Sequence, residues 1–163
     1  MGGDDVAWLE GLSPWPTDGF GLERMHALLA ELDHPETGLP VVHVVGTNGK
    51  STTTRMVEAL LLAGGRRAGA FLSPHVRSWA ERIRVEGEEA DLPAALAAIR
   101  PAAERVGATQ FEVLTAAALA AFRRAGVDRV MFVSENESVL LLLFATSADS
   151  QGYRPGYLLS SAA

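Results

Sequence analysis

Val41-Val42-His43-Val44-Val45 runs into Gly46-Thr47-Asn48-Gly49, and Lys50-Ser51-Thr52 follows at the head of a segment that reads as helix to Ala63. A short β-branched run of this kind predicts a strand buried on both faces, as in a parallel sheet. The glycine turn then predicts a loop, and Gly64-Gly65 closes the helix. Strand, tight turn and helix in that order build a phosphate-binding loop. Backbone N–H groups at the turn and helix start face the anion, and the helix dipole favours negative charge there. A lysine adds a mobile positive charge, and Ser51 or Thr52 supplies a hydroxyl that can reach a phosphate-bound magnesium ion. The alternative is a Gly-Asn-Gly turn that only caps a helix. The loop also departs from the common spacing of Gly, four residues, Gly-Lys-Ser/Thr, because Val44 stands where the first glycine falls.

Composition sharpens this reading. The chain has thirteen arginines and one lysine, and that lysine is Lys50. A compact ammonium on a flexible stem fits among phosphate oxygens where a planar guanidinium does not. Of the 163 residues, 48% are hydrophobic and 21% charged, which is a globular composition of one-domain size. The net charge of −6 argues against nucleic acid and anionic membranes as partners. No cysteine is present, which excludes disulfides and thiolate metal sites. The longest late apolar run, Val139 to Ala145, is well short of the roughly 20 residues of a membrane helix, and no basic leader precedes Arg24. The expectation is a soluble cytoplasmic monomer.

Outward from the loop, residues 1–20 read as irregular and Gly21 to Leu32 as an amphipathic helix. Ala68 to Leu72 reads as a strand ending at Ser73-Pro74-His75, and Arg82 to Val85 as a further strand before a Glu86-Gly87 turn. Asp91 caps a helix that reaches Gly107, with a kink expected at Pro101. Phe111 to Ala125 reads as helix and Asp128 to Val133 as strand. This alternation predicts an α/β fold, a parallel sheet flanked by helices on both faces. Strands 41–45, 68–72 and 128–133 should lie side by side, with Lys50 and Ser73 at their C-terminal edge. Composition shifts near residue 133, after which six of the ten serines fall. We therefore divide the chain into residues 1–132 and an unassigned tail, 133–163.

Gly-Thr-Asn-Gly-Lys at 46–50 is similar to the loop of the Mur ligase superfamily. Gly19-Phe20-Gly21-Leu22-Glu23-Arg24-Met25, Ser73-Pro74-His75 with Glu81-Arg82-Ile83, and Thr109-Gln110-Phe111-Glu112 with Thr115 narrow the match. Together they resemble the folylpolyglutamate synthase/dihydrofolate synthase family, in order and spacing, from about Trp8 to Asp128. The resemblance implies the central ATPase fold of that superfamily, here incomplete. It implies ATP and Mg2+, with a folate or dihydropteroate and glutamate as further substrates, joined as an amide through an acyl phosphate.

Carried over by position, Gly46, Thr47, Asn48, Gly49, Lys50, Ser51 and Thr52 belong to ATP, with Lys50 also catalytic. Ser73 matches a magnesium ligand. Gly19, Phe20, Gly21, Leu22, Thr109, Gln110, Phe111 and Glu112 match pterin-contacting positions. Taken alone, Glu112 also reads as a solvated carboxylate at a helix start, Arg24 as an exposed helix charge, and His75 as a packed or surface histidine.

Two departures stand out. Ser51 replaces the family's usual glycine after the loop lysine, as in the cell-wall ligases, and Val133 stands where the family has a metal-binding glutamate. The family's later segments have no counterpart after residue 133, which implies a truncated chain, inactive alone. A non-catalytic ATP-binding fragment and a cell-wall-type Mur ligase fragment are the alternatives.

Overall fold

Alternating apolar strands and helices collapse into a helix-covered sheet, and the computed structural model shows one over residues 2–16, 21–46 and 48–133. The strands are β1 (Val41–Val44), β2 (Ala68–Phe71), β3 (Ile83–Val85), β4 (Glu88–Glu89) and β5 (Arg129–Val133), in the order β1-β5-β2-β3-β4. β2 is buried along its length, whereas β1 is only half-buried, short of the burial on both faces expected of it, and β4 is exposed. β5 pairs parallel with both β1 and β2, with Val130 opposite Val41 and Gly69. The three expected strands are therefore adjacent and parallel, with the last in sequence in the middle.

The sheet as a whole is mixed rather than parallel. β3 runs antiparallel to β2, and β4 closes an antiparallel hairpin on β3. The β3–β4 reversal has a local cause: Glu86 and Gly87 both take positive φ (52° and 88°), a two-residue turn that reverses the chain at once.

The helices are α1 (Gly2–Gly11), α2 (Glu23–Glu31), α3 (Lys50–Ala63), α4 (Leu92–Val106) and α5 (Gln110–Ala125). Alternation along the strands sorts α3 and α5 to opposite faces. Gly69 faces Phe122 of α5, whereas Arg84, opposite the next residue Ala70, reaches Glu58 of α3. α4 packs on α5, with α1 and α2 outside it. The core joins Leu9, Leu28, Phe71, Ile83, Leu96, Leu114, Phe122 and Val130.

The helix starts follow capping chemistry. Asp91 accepts from the Ala94 amide at 3.1 Å, and α4 continues through Pro101. Thr109 and Glu112 form a reciprocal capping box at α5, and Gly107 and Gly126 end α4 and α5 in left-handed geometry.

Helix α1 corrects the irregular reading of residues 1–20. Its glycines and the prolines that follow obscure the signal, yet Leu9 is fully buried and Val6 and Trp8 pack beside it. Among the described residues no helix is long and apolar enough to cross a membrane.

Candidate functional site

The parallel strands place their C-terminal ends along one edge, and the segments that follow β1 and β2 there carry the phosphate-loop residues and Ser73. β1 leads into Gly46, and α3 begins at Lys50. Gly49 precedes the helix with φ +75°, a left-handed value. A Cβ there would meet no atom within 4 Å, so the backbone conformation and not crowding selects glycine. The helix closes with the Thr53 amide donating to the Gly49 carbonyl at 2.8 Å. Gly49 at the cap position has no side chain with which to cap the helix, and no acidic residue lies in the first turn. A first turn of this kind suits an external anion. The Lys50 ammonium folds back to donate to the Gly46 carbonyl, four residues earlier. Asn48 and Gly49 are exposed and Ser51 half-buried beside it, with Thr52 exposed one residue on; Thr47 lies outside the described residues.

Two residues beyond β2, Ser73 is buried at the same edge. Its Oγ accepts from Arg82 Nη1 at 3.1 Å, and Arg82 Nε donates to His75 Nδ1 at 2.9 Å. The Arg82 guanidinium lies 4.9 Å from the centre of the Trp79 ring, on which His75 also packs at 4.3 Å. Burial pushes the His75 pKa down and Arg82 adds to that, against an upward pull from Glu81. His75 is accordingly a packed, hydrogen-bonded ring.

The segment between is shaped by Glu81. Its carboxylate accepts from the amides of Val76 (3.0 Å), Arg77 (2.8 Å) and Ser78 (3.1 Å). The Val76 amide leads the causes that hold its pKa down at about 2, against a smaller desolvation effect.

At the start of α5 the four pterin-matched residues have distinct surroundings. Gln110 is tied to the N-terminal region: its amide donates to the Ser13 carbonyl at 2.9 Å and its side chain to the Leu9 carbonyl at 3.1 Å. Glu112 Oε2 accepts from the Thr109 amide (2.7 Å), the Thr109 hydroxyl (2.8 Å) and Arg24 Nε (2.8 Å). Phe111 is the one whose side chain is left open, at 38% exposure, with its ring edge-on to Phe71 at 5.9 Å.

This corrects two expectations. Glu112 is not a solvated carboxylate and Arg24 is not an exposed charge, since their side chains are 13% and 15% exposed and paired. The pair could not be read from spacing, but Thr109-Gln-Phe-Glu112 carries the capping-box signature that announces half of it. Gly21 and Leu22 precede α2, where the Leu22 carbonyl accepts from the His26 amide at 2.8 Å. Gly19 and Phe20 lie outside the described residues, as does the tail beyond Val133.

Among the described residues no group of three or more His, Asp or Glu side chains gathers to hold a metal. Ser73 brings one neutral oxygen, with a guanidinium already on it.

No family model matches the chain. Among curated proteins it is similar to a dihydrofolate synthase/folylpolyglutamate synthase of Escherichia coli, 38% identical over 131 residues, covering 77% of this chain and 30% of that protein. It is similar to its counterpart in Mycobacterium tuberculosis, 37% identical over 132 residues, covering 70% and 27%. A probable bifunctional folylpolyglutamate synthase/dihydropteroate synthase of Haloferax volcanii is 41% identical over 116 residues, covering 66% and 14%. Among solved structures, Mycobacterium tuberculosis folylpolyglutamate synthase complexed with ADP superposes with a TM-score of 0.72 at 31% identity, covering 83% of this chain and 33% of that one. A folylpolyglutamate synthase–AMPPCP–folate complex gives 0.74 at 29% identity, covering 82% and 35%. The chain spans less than a third of the length of the curated relatives it matches.

Proposed function

Since the N-terminal part of the chain belongs to the folylpolyglutamate synthase/dihydrofolate synthase family, a family of ATP-dependent ligases, we propose that it serves the joining of glutamate to a folate or pteroate carboxylate at the expense of ATP. In this reading residues 1–132 are the N-terminal part of the ATP-binding domain, and residues 133–163 carry no assigned role. The substrate carboxylate attacks the γ-phosphorus of ATP, ADP leaves, and an acyl phosphate forms. The glutamate amine then attacks the acyl carbon, the C–O bond to the phosphoryl group breaks with its electron pair on the departing phosphate, and the nitrogen gives up a proton to phosphate or solvent. The observation that carries the reading is the glycine turn at the head of α3, free of acidic residues in its first turn, with the chain's single lysine folded back to the Gly46 carbonyl.

Each residue has a part to play. Amides from Gly46, Thr47, Asn48, Gly49 and Ser51 surround the phosphates, and Lys50 exchanges the Gly46 carbonyl for phosphate oxygens. Its charge offsets the negative charge that builds as the carboxylate approaches. The open ring of Phe111 gives a planar heterocycle an apolar surface on which to stack, and by the resemblance Gly19, Phe20, Gly21, Leu22, Thr109, Gln110 and Glu112 are assigned to the same substrate. Magnesium would come with ATP, neutralising phosphate charge, and the oxygens offered to it are Ser73 and the hydroxyls of Ser51 and Thr52. The described residues do not complete a ligand set for it, and no step above is routed through it.

Val133 stands where the resemblance places a carboxylate, so the 163-residue chain by itself is assigned nucleotide binding without completed amide synthesis. In this reading the chain is a cytoplasmic monomer, and the net charge of −6 supports the part of it that excludes a nucleic-acid partner.

Calorimetric titration with ATP tests the reading. The unaltered chain should bind, Lys50→Ala should weaken binding by at least about tenfold through loss of a charge-assisted contact, and Lys50→Arg should not restore it. Equal affinity in Lys50→Ala would refute the loop assignment.

A further inference from the structure

Arg24 and Glu112 stand 88 positions apart in sequence, yet Arg24 Nε meets Glu112 Oε2 at 2.8 Å with both side chains largely shielded from water. The same carboxylate oxygen also accepts both Thr109 donors. One oxygen thus joins the first turn of α2 to the first turn of α5. Burial alone would raise the Glu112 pKa, but Arg24 and the two Thr109 donors outweigh it and hold the group ionised. The turn fixed in this way carries Phe111, one residue before Glu112. Phe111 in turn meets Phe71 edge-on, and Phe71 ends the strand that leads to Ser73.

We propose that Arg24 is a positioning residue: through Glu112 it orients the first turn of α5, so that Phe111 presents its ring to the planar heterocycle of a pteroate-type substrate. The inference rests on the reading of Phe111 given above. Arg24 need not touch the substrate, and a lysine at 24 keeps the charge but not the rigid planar donor that meets a carboxylate in one orientation.

The test is a pair of titrations of the 163-residue chain, with pteroate and with ATP, alongside thermal melts. The unaltered chain should bind pteroate, and Phe111→Ala should lose that binding. Arg24→Gln and Glu112→Gln should each weaken pteroate by about tenfold while ATP affinity stays within about twofold. Arg24→Lys should recover part of the loss. The double variant should be no weaker than either single one, as expected for residues acting through one contact.

An Arg24→Gln variant that binds pteroate normally, with Phe111→Ala still impaired, overturns the positioning role and leaves the Phe111 reading standing. Equal loss of pteroate and ATP affinity, in step with a lower melting temperature, also overturns it, as a purely structural pair. No pteroate binding by the unaltered chain, or normal binding by Phe111→Ala, overturns the Phe111 reading and the proposal with it.

Discussion

Removing Arg84 alone should cost more than removing it together with its partner. Glu58 lies on α3, two turns into the helix that begins at Lys50, with a side chain 3% exposed. Its Oε2 accepts from Arg84 Nε at 2.9 Å, and Arg84, 14% exposed, also donates to the Gly87 carbonyl. Among the described residues Glu58 Oε1 has no hydrogen-bond partner, nor does the buried Thr54 Oγ1 one turn earlier on the same face. In Arg84→Met the carboxylate would stay buried without its counter-charge, which destabilises by about 3–5 kcal/mol. For a chain of this size that lowers the melting temperature by about 6–20 °C. Replacing both charges, as Glu58→Leu with Arg84→Met, removes the desolvation penalty as well and should be neutral or stabilising, by up to about 4 kcal/mol. Urea unfolding followed by far-ultraviolet circular dichroism measures both variants. Arg84→Met within about 1 kcal/mol of the unaltered chain, or a double variant weaker than the single one, would refute the reasoning.

Two further perturbations test other parts of the fold. Gly69→Ala would place a Cβ 2.5 Å from Cδ1 and 2.7 Å from Cε1 of the fully buried Phe122, and overpacking of this kind should cost about 1–3 kcal/mol in the same unfolding assay. The Glu81 carboxyl is held down at about 2 from a normal 4.5, so its contribution is present above about pH 4.5 and is lost as pH falls toward 2. Glu81→Gln should therefore flatten the acid limb of a melting-temperature profile across that window while leaving pH 4.5 to 7 unchanged in slope.

The central features were legible where chemistry is local. Val41 to Val44 are β-branched apart from His43, and the Gly49 turn and Lys50 follow within six residues, so strand, loop and helix declare themselves together. Asp91 and Thr109 announce their helices by capping chemistry within three residues. What stayed hidden depends on distant partners. Nothing near Arg24 specifies Glu112, and nothing in Ser73-Pro74-His75 announces that Arg82 will meet both Ser73 and His75. The antiparallel β3 was legible as a strand but not in direction, because its pairing with β2 depends on how residues 72–82 return the chain, with the Leu72 amide donating to the Arg82 carbonyl at 2.8 Å, and not on the strand's own alternation. Helix α1 was missed because its burial rests on a few residues, Leu9 above all, set among glycines.

The place of β5 carries a consequence for the order in which the chain can assemble. Synthesis delivers β1 and β2 long before residues 129–133, yet those two strands are not neighbours; among the described residues β1 finds its one partner, and β2 the second of its two, in β5. During translation the β2–β3–β4 hairpins can close as soon as they emerge, whereas the half of the sheet bearing the phosphate loop must wait. For that interval one edge of β2 and both edges of β1 are unpaired, an open invitation to wrong pairings that a nascent chain has to outlast. The phosphate loop is therefore among the first segments to be made and among the last to be held in place.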